Sequence, residues 1–169
     1  FGGLELLSIP LYVLAGFTRD RVYAIEAALK YFILGAFSTG FILYGIALIY
    51  GAAGTTVLPD LRQQAARLSG QPMFYIGSLL VLVSFAFKIA AVPFHMWAPD
   101  AYEGAPTPVS AFMMSSLKAA GFAGLVRIAV GALGSAETSQ QAYTGWIHAF
   151  AVLAILTMTI GNLAALRQD

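Results

Sequence analysis

The sequence predicts an all-α, polytopic transmembrane helical bundle. Two bulk figures and one pattern lead there. Of 169 residues, 59% are hydrophobic and only 10% are charged. A soluble domain is roughly 45–50% apolar and about 25% charged. The mean hydropathy is +0.79. There are too few charged side chains to cover a soluble globule, and the apolar content excludes a disordered chain. The pattern is a series of five apolar segments joined by polar connections. Crossing a hydrocarbon core of roughly 30 Å takes about 20 residues. Lipid offers no partner to backbone polar groups, so such segments are helices.

The first segment runs from Phe1 to Phe17, interrupted by Glu5 and Pro10. The chain opens without Met and without a positively charged lead, so it reads as a piece of a longer protein rather than as a signal peptide. The second segment runs from Val22 to Tyr50, and Tyr31–Tyr50 carries no charge. Gly51 to Gln71 reads as a polar connection, with Gly54, Pro59, Asp60, Arg62, Arg67 and Gly70. The third segment, Pro72 to Val92, holds one charge, Lys88.

Pro93 to Pro108 is unusual, with four prolines in sixteen residues. Proline lacks an N–H and clashes with the preceding turn, so the third helix is expected to break near Val92. Ala98-Pro99-Asp100 reads as the start of a short second half-helix, with proline in its first turn. Gly104 would end it, and Pro106 and Pro108 would open the next helix. Broken membrane helices line cavities, where freed backbone groups find protein or water. The fourth segment, Val109 to Leu133, contains Lys118 and Arg127. Gly134 to Gln141 is small and polar, and the fifth segment, Tyr143 to Leu166, is uncharged. Counting basic residues places Arg19, Arg21 and Arg167 on one side and Arg62 and Arg67 on the other, which slightly favours the Arg19 side as cytoplasmic.

Composition closes several function classes. With no cysteine there is no disulfide framework, thiolate zinc site or iron–sulfur cluster. Two histidines, His95 and His148, do not make a haem or multi-histidine metal site. A net charge of +1 gives no nucleic-acid footprint. No phosphate-binding glycine loop and no nucleophile elbow occurs.

The informative residues are the few charges at membrane depth, which are costly and mark function unless they snorkel. Lys118 lies some ten residues into its segment, roughly 15 Å deep at 1.5 Å per residue and out of snorkelling range. Lys88 admits two readings: a snorkelling helix end, or a deep ammonium beside the broken helix's carbonyls. Lys30 is roughly 12 Å into the second segment, and Glu26 one turn earlier offers an ordinary i,i+4 pair. Glu5 is the lone acid of the first segment. A carboxylate paired with a lysine of another helix makes an electrostatic switch for proton transfer. His95 follows the break and suits a relay between lysines, or it satisfies broken-helix carbonyls. Arg127 is expected to snorkel, His148 to be interfacial, Trp97 and Trp146 to sit in interfacial belts, and Asp100 and Glu103 to act as capping and loop residues.

Phe87-Lys88-Ile89-Ala90-Ala91-Val92-Pro93-Phe94-His95-Met96-Trp97-Ala98-Pro99-Asp100-Ala101-Tyr102-Glu103-Gly104-Ala105-Pro106-Thr107-Pro108-Val109-Ser110 resembles the signature of the antiporter-like membrane subunits of NADH–quinone oxidoreductase, respiratory complex I. Glu5-Leu6-Leu7-Ser8-Ile9-Pro10-Leu11-Tyr12, and Glu26 to Phe37 followed by Leu43-Tyr44-Gly45, are similar to it as well. Where L-type, M-type and Mrp-type relatives commonly carry a histidine stretch, this chain reads Phe112-Met113-Met114-Ser115-Ser116-Leu117-Lys118, which resembles the N type.

The resemblance implies a proton-transfer set of Glu5, Lys30, Lys88, His95 and Lys118. It also implies an inverted-repeat fold of which residues 1–133 are most of the first repeat, with the broken helix around 92–99, and 143–169 the first helix of the second. NADH, FMN, iron–sulfur clusters and quinone are expected in partner subunits and none on this chain. The expected partners are other membrane-arm subunits, and the expected location is the bacterial inner membrane. A standalone cation/proton antiporter and a purely structural membrane-arm subunit are the alternative expectations.

Overall fold

The computed structural model describes the backbone of residues 1–134 and 140–166 and the side chains of 1–134 and 148–166. In order, the elements are α1 (Gly2–Ala15), α2 (Val22–Ala53), α3 (Leu58–Leu68), α4 (Pro72–Lys88), α5 (Ala98–Gly104), α6 (Thr107–Phe112), a π-helical turn (Met113–Leu117), α7 (Lys118–Gly131) and α8 (Gln140–Ala165). No strand occurs among the described residues. Val22–Ala53, Thr107–Gly131 and His148–Ala165 are long and apolar enough to cross a membrane. The all-α membrane bundle read from composition is therefore present.

The centre of the fold is the α2–α4 pair, joined along a seam of small residues. A Cβ added at Gly45 would lie 2.7 Å from the Gly77 carbonyl oxygen, so the two backbones touch only because neither position has a side chain. One end of the seam is closed by Ser38 and Ser84, whose hydroxyls lie 2.9 Å apart, with Ser84 Oγ also donating to the Ser38 carbonyl at 2.9 Å. Both serines are buried, so these bonds satisfy polar groups that lipid could not. α1 and α5 pack on α2, and α7 packs on α4.

Three features depart from the sequence reading. Gly51–Gln71 is not wholly a loop: it contains α3, whose Leu61, Ala65 and Leu68 are buried on one face at i, i+4 and i+7. Pro59, read as a loop marker, sits in that helix's first turn, where a missing N–H costs nothing. The break begins at Ile89 rather than near Val92. Ala90 adopts φ 57°, turning the chain out of the helix before the Val92–Pro93 cis bond is reached, which leaves α4 with 17 residues. Finally, Trp97 does not turn its ring outward as a belt residue would. It is 1% exposed and stacks on Tyr31 with ring centroids 4.7 Å apart. Trp146 lies outside the described side chains.

The prolines after the break act as read. Pro99 stands in the first turn of α5, Gly104 ends it, and Pro106 is the N-cap of α6. The π-turn was not foreseen; such wide turns occur as single insertions in α-helices, frequently at functional sites, and this one ends at Lys118.

Candidate functional site

Lys88 is the last residue of α4 and its side chain is 7% exposed. The serine lock of Ser38 and Ser84 lies one turn before it and fixes α4 against α2. Beyond Lys88 the chain leaves the helix. The Phe87 carbonyl accepts from the Ala90 amide at 2.9 Å and from Trp97 Nε1 at 3.0 Å. The Val92 amide donates to Thr157 Oγ1 of α8 at 3.0 Å. The break is thus satisfied by protein groups on both sides, and Lys88 is held at its edge.

The ammonium of Lys88 donates to Ser8 Oγ of α1 at 2.7 Å and lies 3.6 Å from Glu5 Oε1, one turn earlier on α1. The Glu5 side chain is 14% exposed. Its Oε1 accepts from Thr39 Oγ1 of α2 at 3.0 Å. Three helices therefore converge: α1 supplies Glu5 and Ser8, α2 supplies Thr39, and α4 supplies Lys88. Coulomb energy varies inversely with separation and dielectric, so a buried pair responds strongly to small movements of either charge.

The other candidate residues are arranged differently. Lys118 follows the π-turn, is partly buried, and its Nζ lies 5.4 Å from the centroid of the Tyr102 ring on α5. No ion pair joins it to a carboxylate among the described residues. His95 sits within the break with Nδ1 buried and unpartnered. It makes no hydrogen bond or ion pair with Lys88 or Lys118, so the structure does not connect the three directly.

Lys30 lies on the outer side of α2, where it pairs with Glu26 at 2.8 Å and with Asp100 of α5 at 2.6 Å. The i,i+4 pair was legible; the bond to Asp100 was not, because that residue read as a cap. Glu26, Lys30 and Asp100 keep 53%, 46% and 45% of their side chains exposed. Glu5 thus meets Lys88 and not Lys30, a choice that remained open in the sequence.

Sequence reasoning missed Ser8, Thr39 and Tyr102. Ser8 had a signal, since it lies three residues after Glu5 and on the same helix face. Thr39 had none, because its contact with α1 is purely tertiary.

The whole chain, residues 1–169, matches the family model described as NADH:quinone oxidoreductase/Mrp antiporter, TM. A relative from Trichlorobacter lovleyi, named NADH-quinone oxidoreductase subunit N, is 53% identical over 171 residues, covering 100% of this chain and 34% of the relative. Respiratory complex I from Thermus thermophilus with bound Aureothin contains a chain 44% identical, with TM-score 0.76 over 98% of this chain and 33% of that one. A chain of the Mrp complex from Dietzia sp. is 27% identical, with TM-score 0.79 over 98% of this chain and 30% of that one. The chain spans about a third of the length of these proteins. A match over every residue places the chain in the NADH:quinone oxidoreductase/Mrp antiporter family of membrane proteins.

Proposed function

We propose that this chain forms part of a proton-translocating membrane subunit of a bacterial NADH–quinone oxidoreductase, seated in the inner membrane with other membrane-arm subunits. The observation that carries the proposal is the buried Glu5–Lys88 pair, 3.6 Å apart at the end of α4. Burying two charges costs several kcal/mol per ion even when they are paired, and charges retained at membrane depth mark ion or proton paths. The relative from Trichlorobacter lovleyi, an NADH-quinone oxidoreductase subunit N by name, supports the choice of complex.

In this reading NADH, FMN, iron–sulfur clusters and quinone belong to partner subunits, and their redox energy reaches this chain as a change in local charge. Glu5 close to Lys88 favours the ammonium. When Glu5 withdraws, the ammonium loses its compensating charge and Lys88 gives up one proton, becoming a neutral amine. His95 and Lys118 lie further along the path, with bound water bridging groups that do not touch. Lys30 acts at the rim, where Glu26 and Asp100 hold it.

The test is Lys88→Met in the complete complex reconstituted in vesicles. Protons moved per NADH oxidised fall while the complex still assembles; an unchanged ratio overturns the proposal. The Mrp complex from Dietzia sp., with its TM-score of 0.79, favours a second reading as a cation/proton antiporter. That reading requires sodium-dependent proton exchange by the full-length subunit with its membrane partners in the absence of NADH.

A further inference from the structure

The Glu5–Lys88 pair is an ion pair with a long separation. The approach of Lys88 Nζ to Glu5 Oε1, 3.6 Å, is longer than a charge-assisted hydrogen bond of about 2.7–2.9 Å. Each charged group is instead held by a hydroxyl. Lys88 Nζ donates to Ser8 Oγ at 2.7 Å, and Ser8 Oγ donates onward to the Leu4 carbonyl at 2.8 Å. Ser8 Oγ accepts from Lys88 and has a backbone carbonyl as acceptor for its own proton, so it anchors Lys88. Ser8 is 2% exposed, and its geometry is fixed by the first turns of α1.

Thr39 is placed differently. Its single hydroxyl proton faces two acceptors, Glu5 Oε1 at 3.0 Å and the Gly35 carbonyl at 3.1 Å. A hydroxyl can donate fully to only one of them. With Glu5 in place, Thr39 stabilises the carboxylate; with Glu5 withdrawn, Thr39 returns to the Gly35 carbonyl one turn back in its own helix. Neither position leaves a buried donor unsatisfied, so Thr39 does not add a desolvation cost to the movement of Glu5. A Cβ at Gly35 would land on the Tyr12 hydroxyl, so the glycine makes room for the Tyr12 ring of α1 at this level.

We propose that Ser8 and Thr39 are positioning residues of the Glu5–Lys88 pair: Ser8 anchors the lysine, and Thr39 is a two-position donor that holds Glu5 off Lys88 and receives the rebound when it leaves. This rests on the proton-carrying reading of the pair. Removing the Thr39 hydroxyl would leave Glu5 without its competing donor, so that it closes onto Lys88 and the pair no longer separates readily. Thr39→Val keeps the size and branching of the side chain and removes only the hydroxyl; Thr39→Ser keeps the hydroxyl.

The experiment measures protons moved per NADH oxidised by the complete complex in vesicles, normalised to assembled complex, for Glu5→Gln, Thr39→Val, Thr39→Ser, Ser8→Ala and the double variant Glu5→Gln/Thr39→Val. Thr39→Val and Ser8→Ala should each lower the ratio about twofold or more, and Thr39→Ser should restore it. In the Glu5→Gln background, Thr39→Val should add no further loss, because the hydroxyl acts only through Glu5. If Glu5→Gln is impaired while Thr39→Val keeps the parent ratio, this proposal fails and the proton-carrying reading stands. The proposal also fails if Thr39→Val costs as much in the Glu5→Gln background as alone. A parent ratio in Glu5→Gln overturns the proton-carrying reading and this proposal with it.

Discussion

Two lysine–carboxylate clusters lie in this chain, and their distances rank them in the wrong order. On the rim, Lys30 is bonded to Asp100 at 2.6 Å and to Glu26 at 2.8 Å. In the interior, Lys88 stays 3.6 Å from Glu5. By distance alone the rim cluster is the stronger. Its three side chains are each about half uncovered, however, so this chain's own fold does not enclose those charges. The inner pair is nearly closed to solvent, and there each fraction of an ångström matters. Short contacts describe where a pair is satisfied; burial describes where a charge has consequences.

The largest expected effect breaks the inner pair. Lys88→Met leaves the Glu5 carboxylate buried without its cation, which should destabilise the bundle by roughly 3–5 kcal/mol. Thermal unfolding of the full-length subunit within the purified complex measures this. Adding Glu5→Gln to Lys88→Met should recover much of the loss, since no lone charge then remains. Absence of recovery would show that Lys88 is needed for packing rather than for charge balance.

The next effect acts on the seam that carries Lys88. Gly77→Ala drives a Cβ to 2.8 Å from the Gly45 carbonyl oxygen, so α2 and α4 must move apart. Overpacking of this kind should cost roughly 1–3 kcal/mol, read as a lowered midpoint in the same unfolding assay. Ser84→Ala removes the hydroxyl lock one turn before Lys88, and should cost about 1 kcal/mol. The smallest effect belongs to the outer side of α2: Asp100→Asn should leave the unfolding midpoint within experimental error, because Lys30 keeps Glu26 as its partner.

These contrasts also show what the sequence could convey. The apolar segments and the prolines of the break were legible because length, hydropathy and missing N–H groups act locally. Glu5 and Lys88 stood out because charge is rare in so apolar a chain. Their pairing was not legible, since hydropathy records residue type and not the partner met across helices. Lys30 is equally eligible by residue type, and only the fold places it on the outer side of α2 with Glu26 and Asp100. Trp97 read as interfacial by type, yet Tyr31 and the Phe87 carbonyl draw it inside. The π-turn before Lys118 left no mark in the sequence, because Met113–Leu117 satisfies an ordinary helix equally well. α3 was hidden by its polar face and Pro59, although its three buried positions repeat at helical spacing.

The central claim is that the buried lysine, rather than the rim lysine with the shorter bonds, controls proton movement. The most direct measurement compares Lys88→Met with Lys30→Met in the same reconstituted complex, following vesicle acidification per NADH oxidised. The account predicts a large loss of protons moved for Lys88→Met and a clearly smaller one for Lys30→Met, at equal assembly. Equal losses, or a greater loss for Lys30→Met, would contradict it.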